Sequence, residues 1–246
     1  MTAQGTTQIA DDWLATICAG SEMGALVLEK DWANTPLGPP ETWSRGLRTA
    51  VGVCLTSRFP MLVVWGPELV KIYNDGYRPI LGSEKHPQAL GAPAKEIWAE
   101  IWDVIGPDFD QVLQTGRPTW HEHEKLLLER NGYPEEGYFV WSYSPLFDDD
   151  GTIAGVLDTV RETTEMVISR RRLNCITEVS AALFGSVQVT DVCLRATATL
   201  RSCSDDIKAA DIYLRIGNQL PLVASNRRGQ VPPVGPEVVE RVSATS

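Results

Sequence analysis

The chain has 246 residues, 43% of them apolar and eight of them tryptophan, and a net charge of −10 from 22 basic and 32 acidic side chains. That is enough apolar material for one large or two ordinary packed domains, while the acidic balance repels a phosphate backbone and argues against nucleic-acid binding. No window approaches the ~20 apolar residues of a membrane-spanning helix, and no basic region followed by an apolar run opens the chain, so a cytoplasmic location and no membrane partner are expected.

The first predicted element is a helix from Ile9, with Trp13, Ile17 and Leu14 on one stripe, ending near Gly20 or Gly24. The Pro/Gly-rich segment from Thr35 to Pro40 separates it from a second amphipathic helix, Glu41 to Leu55, which buries Trp43, Leu47, Ala50, Val51 and Cys54. Residues 1–56 thus read as a helical cap or leader. Met61 to Gly66 and Leu69 to Tyr73 are short apolar strands that meet at Gly66-Pro67, and Asn74-Asp75-Gly76 is a turn former in which Asp75 is expected to pair with Arg78. Helical turns follow at Tyr77 to Leu81 and Pro93 to Ala99, then a longer helix from Ile101 or Pro107 to Leu113 that stops at Gly116.

Arg117 to Glu129 reads as a long strand. In Tyr138 to Val156, Phe139, Trp141 and Tyr143 alternate with Tyr138, Val140 and Ser142, the period of a two-faced strand, and Asp148-Asp149-Asp150-Gly151 supplies a tight turn into the next strand. Five antiparallel strands and their helices make an α+β domain. From Glu162 the period changes: Met166, Leu173 and Ser180 share one heptad position and Ser169, Ile176 and Leu183 the other. This segment is either a two-stranded coiled coil or an ordinary amphipathic helix lying on its own domain. A further helix, Val187 to Ser204, precedes a hairpin of Ala209–Ile216 and Leu220–Ser225 around Gly217-Asn218, and a loop at Val231 leads to a final short helix. Cys18, Cys54, Cys175, Cys193 and Cys203 are odd in number, widely spaced and without a CxxC pair, so reduced thiols are expected, with neither a disulfide framework nor a zinc site.

Phe59-Pro60, Trp65-Gly66, Tyr73 to Tyr77, Gly82 to Pro87, Leu90-Gly91, Glu96-Ile97-Trp98 and Tyr138 to Gly155 together resemble the N-terminal PAS sensory domains of bacterial sensor histidine kinases. Thr35 to Trp43 is similar to the leader of that group. The resemblance implies a PAS domain at 57–162 with a cavity between sheet and helices, and a signalling helix at 163–186 through Met166, Leu173, Ile176 and Leu183. Residues 187–246 resemble the first part of a GAF domain, expected to be truncated. The implied protein is a cytoplasmic homodimeric sensor. It binds an unknown small molecule and relays the signal to an output domain beyond these residues, by resemblance a histidine kinase, with a phosphatase or cyclase as other outputs.

Three sets of residues are candidates for chemistry. Trp65, Tyr73, Trp98, Trp102, Trp120, Phe139, Trp141 and Tyr143 read either as walls of an apolar ligand pocket or as ordinary core. His121 and His123 lie two apart on a strand and so share a face, which points to a metal ion or haem edge, or else to a solvated polar face. A metal- or haem-bound sensor or enzyme, and a ligand-free interaction module, are the alternative functions. Asn74 to Gly76 and Lys85-His86-Pro87 read as structural turns. Phosphate loops, nucleophile elbows and kinase motifs are missing from the sequence, so no catalytic residue is expected. Asn174-Cys175 is followed by isoleucine and falls in the connecting helix, so no flavin-cysteinyl adduct is expected either.

Overall fold

The structure, a computed structural model, describes residues 13–217 and 219–227. The predicted helix start at Ile9, Asn218 in the predicted hairpin turn, and the loop and helix predicted after Val231 lie outside the described residues. The chain divides into two compact units that part between Thr164 and Glu165.

The first unit opens with two short helices, α1 (Trp13–Cys18) and α2 (Glu22–Glu29), where the sequence suggested one. The break is made by Ser21, whose hydroxyl accepts from the Gly24 amide at 2.8 Å and starts α2 as its N-cap. Helix α3 (Arg45–Thr56) begins later than its apolar pattern suggested, because Ser44 caps it and residues 40–42 form a separate 3₁₀ turn. Trp43 therefore precedes the helix; it is buried, with its indole donating to the Gly38 carbonyl at 3.0 Å and Trp32 packed edge-on at 5.1 Å. The leader is no loose appendage. Cys18, Met23, Val27, Trp32 and Trp43 belong to the same buried cluster as the sheet residues Leu62, Val63, Ile72 and Val160.

Five antiparallel strands follow: β1 (Met61–Trp65), β2 (Val70–Tyr73), β3 (His121–Glu129), β4 (Pro134–Phe147) and β5 (Ile153–Glu162), in the spatial order β2-β1-β5-β4-β3. Strand β3 starts four residues later than the sequence suggested, and β4 four residues earlier. Buried and half-exposed residues alternate along β4, so Phe139, Trp141 and Tyr143 all face inward. Between β4 and β5 the Gly151 amide donates to Asp148 O at 2.9 Å, with Gly151 at φ 84°, a conformation that favours glycine. Asp149 in that turn reaches α3, accepting from the Arg45 and Gly46 amides at 3.2 and 3.0 Å, so a carboxylate meets the positive end of the helix.

The connection from β2 to β3 carries α4 (Arg78–Lys85), α5 (Ala94–Ile97), a 3₁₀ turn at 99–101 and α6 (Trp102–Thr115), which ends on Gly116 in the left-handed region. Asn74 anchors its start. The side chain is 1% exposed; its amide nitrogen lies 2.6 to 3.1 Å from the carbonyls of Phe59, Ser57 and Cys54, and its oxygen accepts from the Met61 and Tyr77 amides at 3.1 Å each. Asp75 and Arg78 do not pair with each other as expected. Both hold α2 instead: Asp75 accepts from the Met23 amide at 2.7 Å, and Arg78 pairs with Glu22.

The second unit contains α7 (Thr164–Leu183), α8 (Val189–Leu200) and a two-stranded hairpin of β6 (Asp211–Tyr213) and β7 (Leu222–Ser225). Cys175 in α7 is bonded to Cys203 beyond α8, with Cα atoms 6.0 Å apart, which corrects the expectation of five reduced thiols; Cys18, Cys54 and Cys193 are free and buried. The turn back from α8 brings together two cysteines that are 28 positions apart in sequence. Next to the disulfide, Arg171 holds Asp206 through two contacts of 2.6 and 3.0 Å. Among the described residues no helix is long and apolar enough to cross a membrane.

Candidate functional site

The inward face of β3–β5 and the helical connection enclose a cavity of about 30 Å3, the space of one or a few waters. Leu126 and Leu128 come from β3, Phe139, Trp141 and Tyr143 from β4, and Asp158 and Val160 from β5. The opposite wall is Tyr77, Ile80, Trp98, Ile101 and Ile105.

One charged residue breaks this apolar lining. Asp158 pairs with Leu62 on β1 and Tyr143 on β4, and it is 4% exposed. Its Oδ2 accepts from the Tyr77 hydroxyl at 3.3 Å, while Trp98 in turn donates to that hydroxyl. Burial pushes the Asp158 carboxyl up to about 7, against the pull of the Tyr77 hydrogen bond and the Lys71 charge. Burial, reinforced by the Asp158 charge, raises the Tyr77 and Tyr143 hydroxyls well above the usual tyrosine value. Lys71, 0% exposed on β2, is held well below the usual lysine value by burial. Its Nζ lies 4.8 Å from the Trp98 ring centre, and Lys85 Nζ, paired with Glu100 at 2.8 Å, lies 5.3 Å from it. Among the described residues, Asp158 Oδ1, Trp141 Nε1 and Lys71 Nζ are buried without a hydrogen-bond partner.

The family model described as "PAS fold" matches residues 57–167, the segment that builds this sheet and its cavity. Residues 57–167 match the PAS fold. Several solved structures are similar at low identity. A sensory box sensor histidine kinase from Vibrio cholerae shares 18% identity over 42% of this chain and 81% of its own, with a TM-score of 0.34. A PAS domain from Colwellia psychrerythraea shares 16% over 48% and 98%, with a TM-score of 0.37. The LOV protein of Rhodobacter sphaeroides shares 14% over 66% and 92%, with a TM-score of 0.41. A search of curated proteins gives no match.

Of the eight aromatic candidates, Trp98, Phe139, Trp141 and Tyr143 line the cavity of the PAS domain, and the other four do not. Trp65 lies over Gly155, where an added Cβ would come within 2.9 Å of the ring. Tyr73 is fully buried, with its hydroxyl 2.9 Å from His86 Nδ1. Trp102 stacks on Phe109 at 5.5 Å, and Trp120 is 65% exposed, just ahead of β3.

His121 and His123 take different partners, on a stretch where the register shifts between His121 and Glu124 and His123 sits at φ 54°. His121 stacks on Trp141 at 4.4 Å with Nε2 2.7 Å from Asp108 Oδ2, whereas His123 Nδ1 is 3.0 Å from the Thr163 hydroxyl. No group of three or more potential metal-binding side chains occurs among the described residues.

Asp158, Tyr77 and Lys71 are the site residues that sequence reasoning missed. The signal for Asp158 was its inward position in Val156-Leu157-Asp158-Thr159-Val160, where period 2 requires an apolar side chain. For Lys71 it was a lone charge in an apolar four-residue strand.

Proposed function

We propose that the chain is the sensory and dimerisation region of a cytoplasmic signal-transduction protein, in which a small molecule occupies the PAS cavity. Its occupancy biases an output domain, a histidine kinase in a two-component system. The carrying observation is the cavity itself, an apolar chamber with an unpartnered carboxylate oxygen and an unpartnered indole N–H in its walls. Buried polar atoms without partners are uncommon, and a ligand that satisfies them gains binding free energy.

Strand β5, which carries Asp158 and Val160, ends at Glu162, and α7 starts at Thr164. In this reading 57–162 is the sensor, 163–186 the signalling helix, and 187–246 the start of a GAF-like module. Met166, Leu173 and Ile176 on the heptad seam of α7 are 50%, 62% and 63% exposed, a stripe that a second copy of the same helix covers in the dimer. A ligand moves such an equilibrium only through different affinities for its two states.

Native mass spectrometry of the purified chain tests the ligand claim. A co-purifying small molecule, displaced when Val160→Trp fills the cavity, supports it. A bare chain whose unfolding temperature no small molecule in a broad metabolite screen raises contradicts it.

A further inference from the structure

Resting on the ligand-sensing reading, the geometry points to the chemical class of the ligand: an uncharged molecule no larger than about one substituted aromatic ring, with a carboxamide-like edge. That edge donates to Asp158 Oδ1 and accepts from Trp141 Nε1, the two buried atoms of the cavity wall that have no partner among the described residues.

Their placement fits one bridging group. Trp141 is registered with Val160 and Tyr143 with Asp158, so Trp141 and Asp158 are diagonal neighbours on one face of β4–β5, a spacing within reach of long side chains. A bridging amide takes up one hydrogen bond of ~2.9 Å on each side. Two other polar groups of the wall are already engaged, since the Tyr77 hydroxyl donates to Asp158 Oδ2 and receives the Trp98 indole N–H. A donor–acceptor edge completes both orphans at once.

Burial in an apolar chamber disfavours an ion of either sign, and an anion also meets Asp158. A carboxamide edge suits the carboxyl in either protonation state, because its N–H donates to Oδ1 of the carboxylate and its oxygen accepts from Oδ1–H of the acid. Tyr77, Trp98, Phe139, Trp141 and Tyr143 favour a flat ring between them. At about 30 Å3 the cavity has room for water, so binding a ring requires it to widen.

The test uses the purified 246-residue chain and three probes of nearly equal shape: benzamide, acetophenone and α-methylstyrene. Replacing the amide NH2 by methyl removes the donor, and replacing the carbonyl by methylene then removes the acceptor. Isothermal titration calorimetry is expected to show benzamide binding about tenfold tighter than acetophenone, and acetophenone about tenfold tighter than α-methylstyrene. The Trp141 indole N–H proton, assigned with Trp141→Phe, is expected to shift with the first two probes only. Equal binding of all three overturns the polar edge while leaving the cavity a ligand site. Tighter binding of benzylamine than of benzamide overturns the neutral class. Failure of every probe to bind overturns the ligand class; the sensing function on which it rests falls only if the native mass spectrum and the metabolite screen are also blank.

Discussion

Asp158 costs the fold stability as its proton leaves, and the cost is measurable. Its carboxyl titrates at about 7 in the folded chain against a reference of 3.8. Below 3.8 both folded and unfolded chains carry the proton and nothing is lost. Between 3.8 and about 7 the unfolded chain releases it while the folded chain keeps it, so stability falls as pH rises through that window. The shift amounts to about 4 kcal/mol in all, of which about 2 kcal/mol falls between pH 5 and pH 7. Against the total stability of an ordinary domain, roughly 5–15 kcal/mol, that is a large fraction.

Asp158→Asn removes the titration while keeping an acceptor for Tyr77. Urea unfolding at pH 5, 6, 7 and 8 is expected to show the difference between variant and wild type moving by about 2 kcal/mol in favour of the variant from pH 5 to pH 7. Lys71 complicates the comparison, because its depressed value gives the opposite sign and Asp158 sustains part of its charge. Repeating the pair in a Lys71→Met background isolates the carboxyl. Parallel pH profiles in that background would refute the claim that Asp158 is a buried, desolvated acid.

Four further outcomes are expected. Asp149→Ala removes the carboxylate from the first turn of α3 and lowers stability by about 1 kcal/mol, seen in thermal or urea melts, with little effect where Asp149→Asn is tested. Asn74→Ala strips five backbone partners at once and costs more than about 3 kcal/mol by the same measurement; a loss below 1 kcal/mol contradicts the anchoring role. Leu173→Glu or Ile176→Glu weakens dimerisation, read as a halved mass by light scattering, whereas an unchanged mass removes the coiled-coil pairing. Closing a 28-residue loop, the Cys175–Cys203 bond contributes about 3–4 kcal/mol, so wild type in reductant and Cys175→Ser are expected to unfold together at lower urea than the oxidised chain.

Local periodicity made the sheet legible. The alternation at Tyr138 to Tyr143 and the acidic turn before Gly151 placed β4, β5 and their inward aromatics correctly, because a half-buried strand imposes period 2 on its own sequence. Contacts between distant segments left no comparable trace. Nothing near Asp149 announces the α3 amides some hundred residues away, and Ser21 lacks the glutamate that would have marked α2 as a second helix. At His121 to Glu124 the register shift, with His123 in the left-handed region, left no trace in the sequence pattern. Trp120 shows the same limit: aromatic character suggested a wall, but its position one residue ahead of β3 left it facing solvent. The functional atoms of the cavity were readable only as misfits, a charge at an inward position on β5 and another in the apolar β2.

Hydrogen–deuterium exchange of residues 164–183, followed with and without saturating benzamide, tests the central claim most directly. If occupancy of the cavity is relayed along β5 into α7, amide protection in that helix is expected to change on binding, and Trp141→Phe with Asp158→Ala is expected to abolish the change. Binding confirmed by calorimetry with identical exchange throughout 164–183 would contradict the relay.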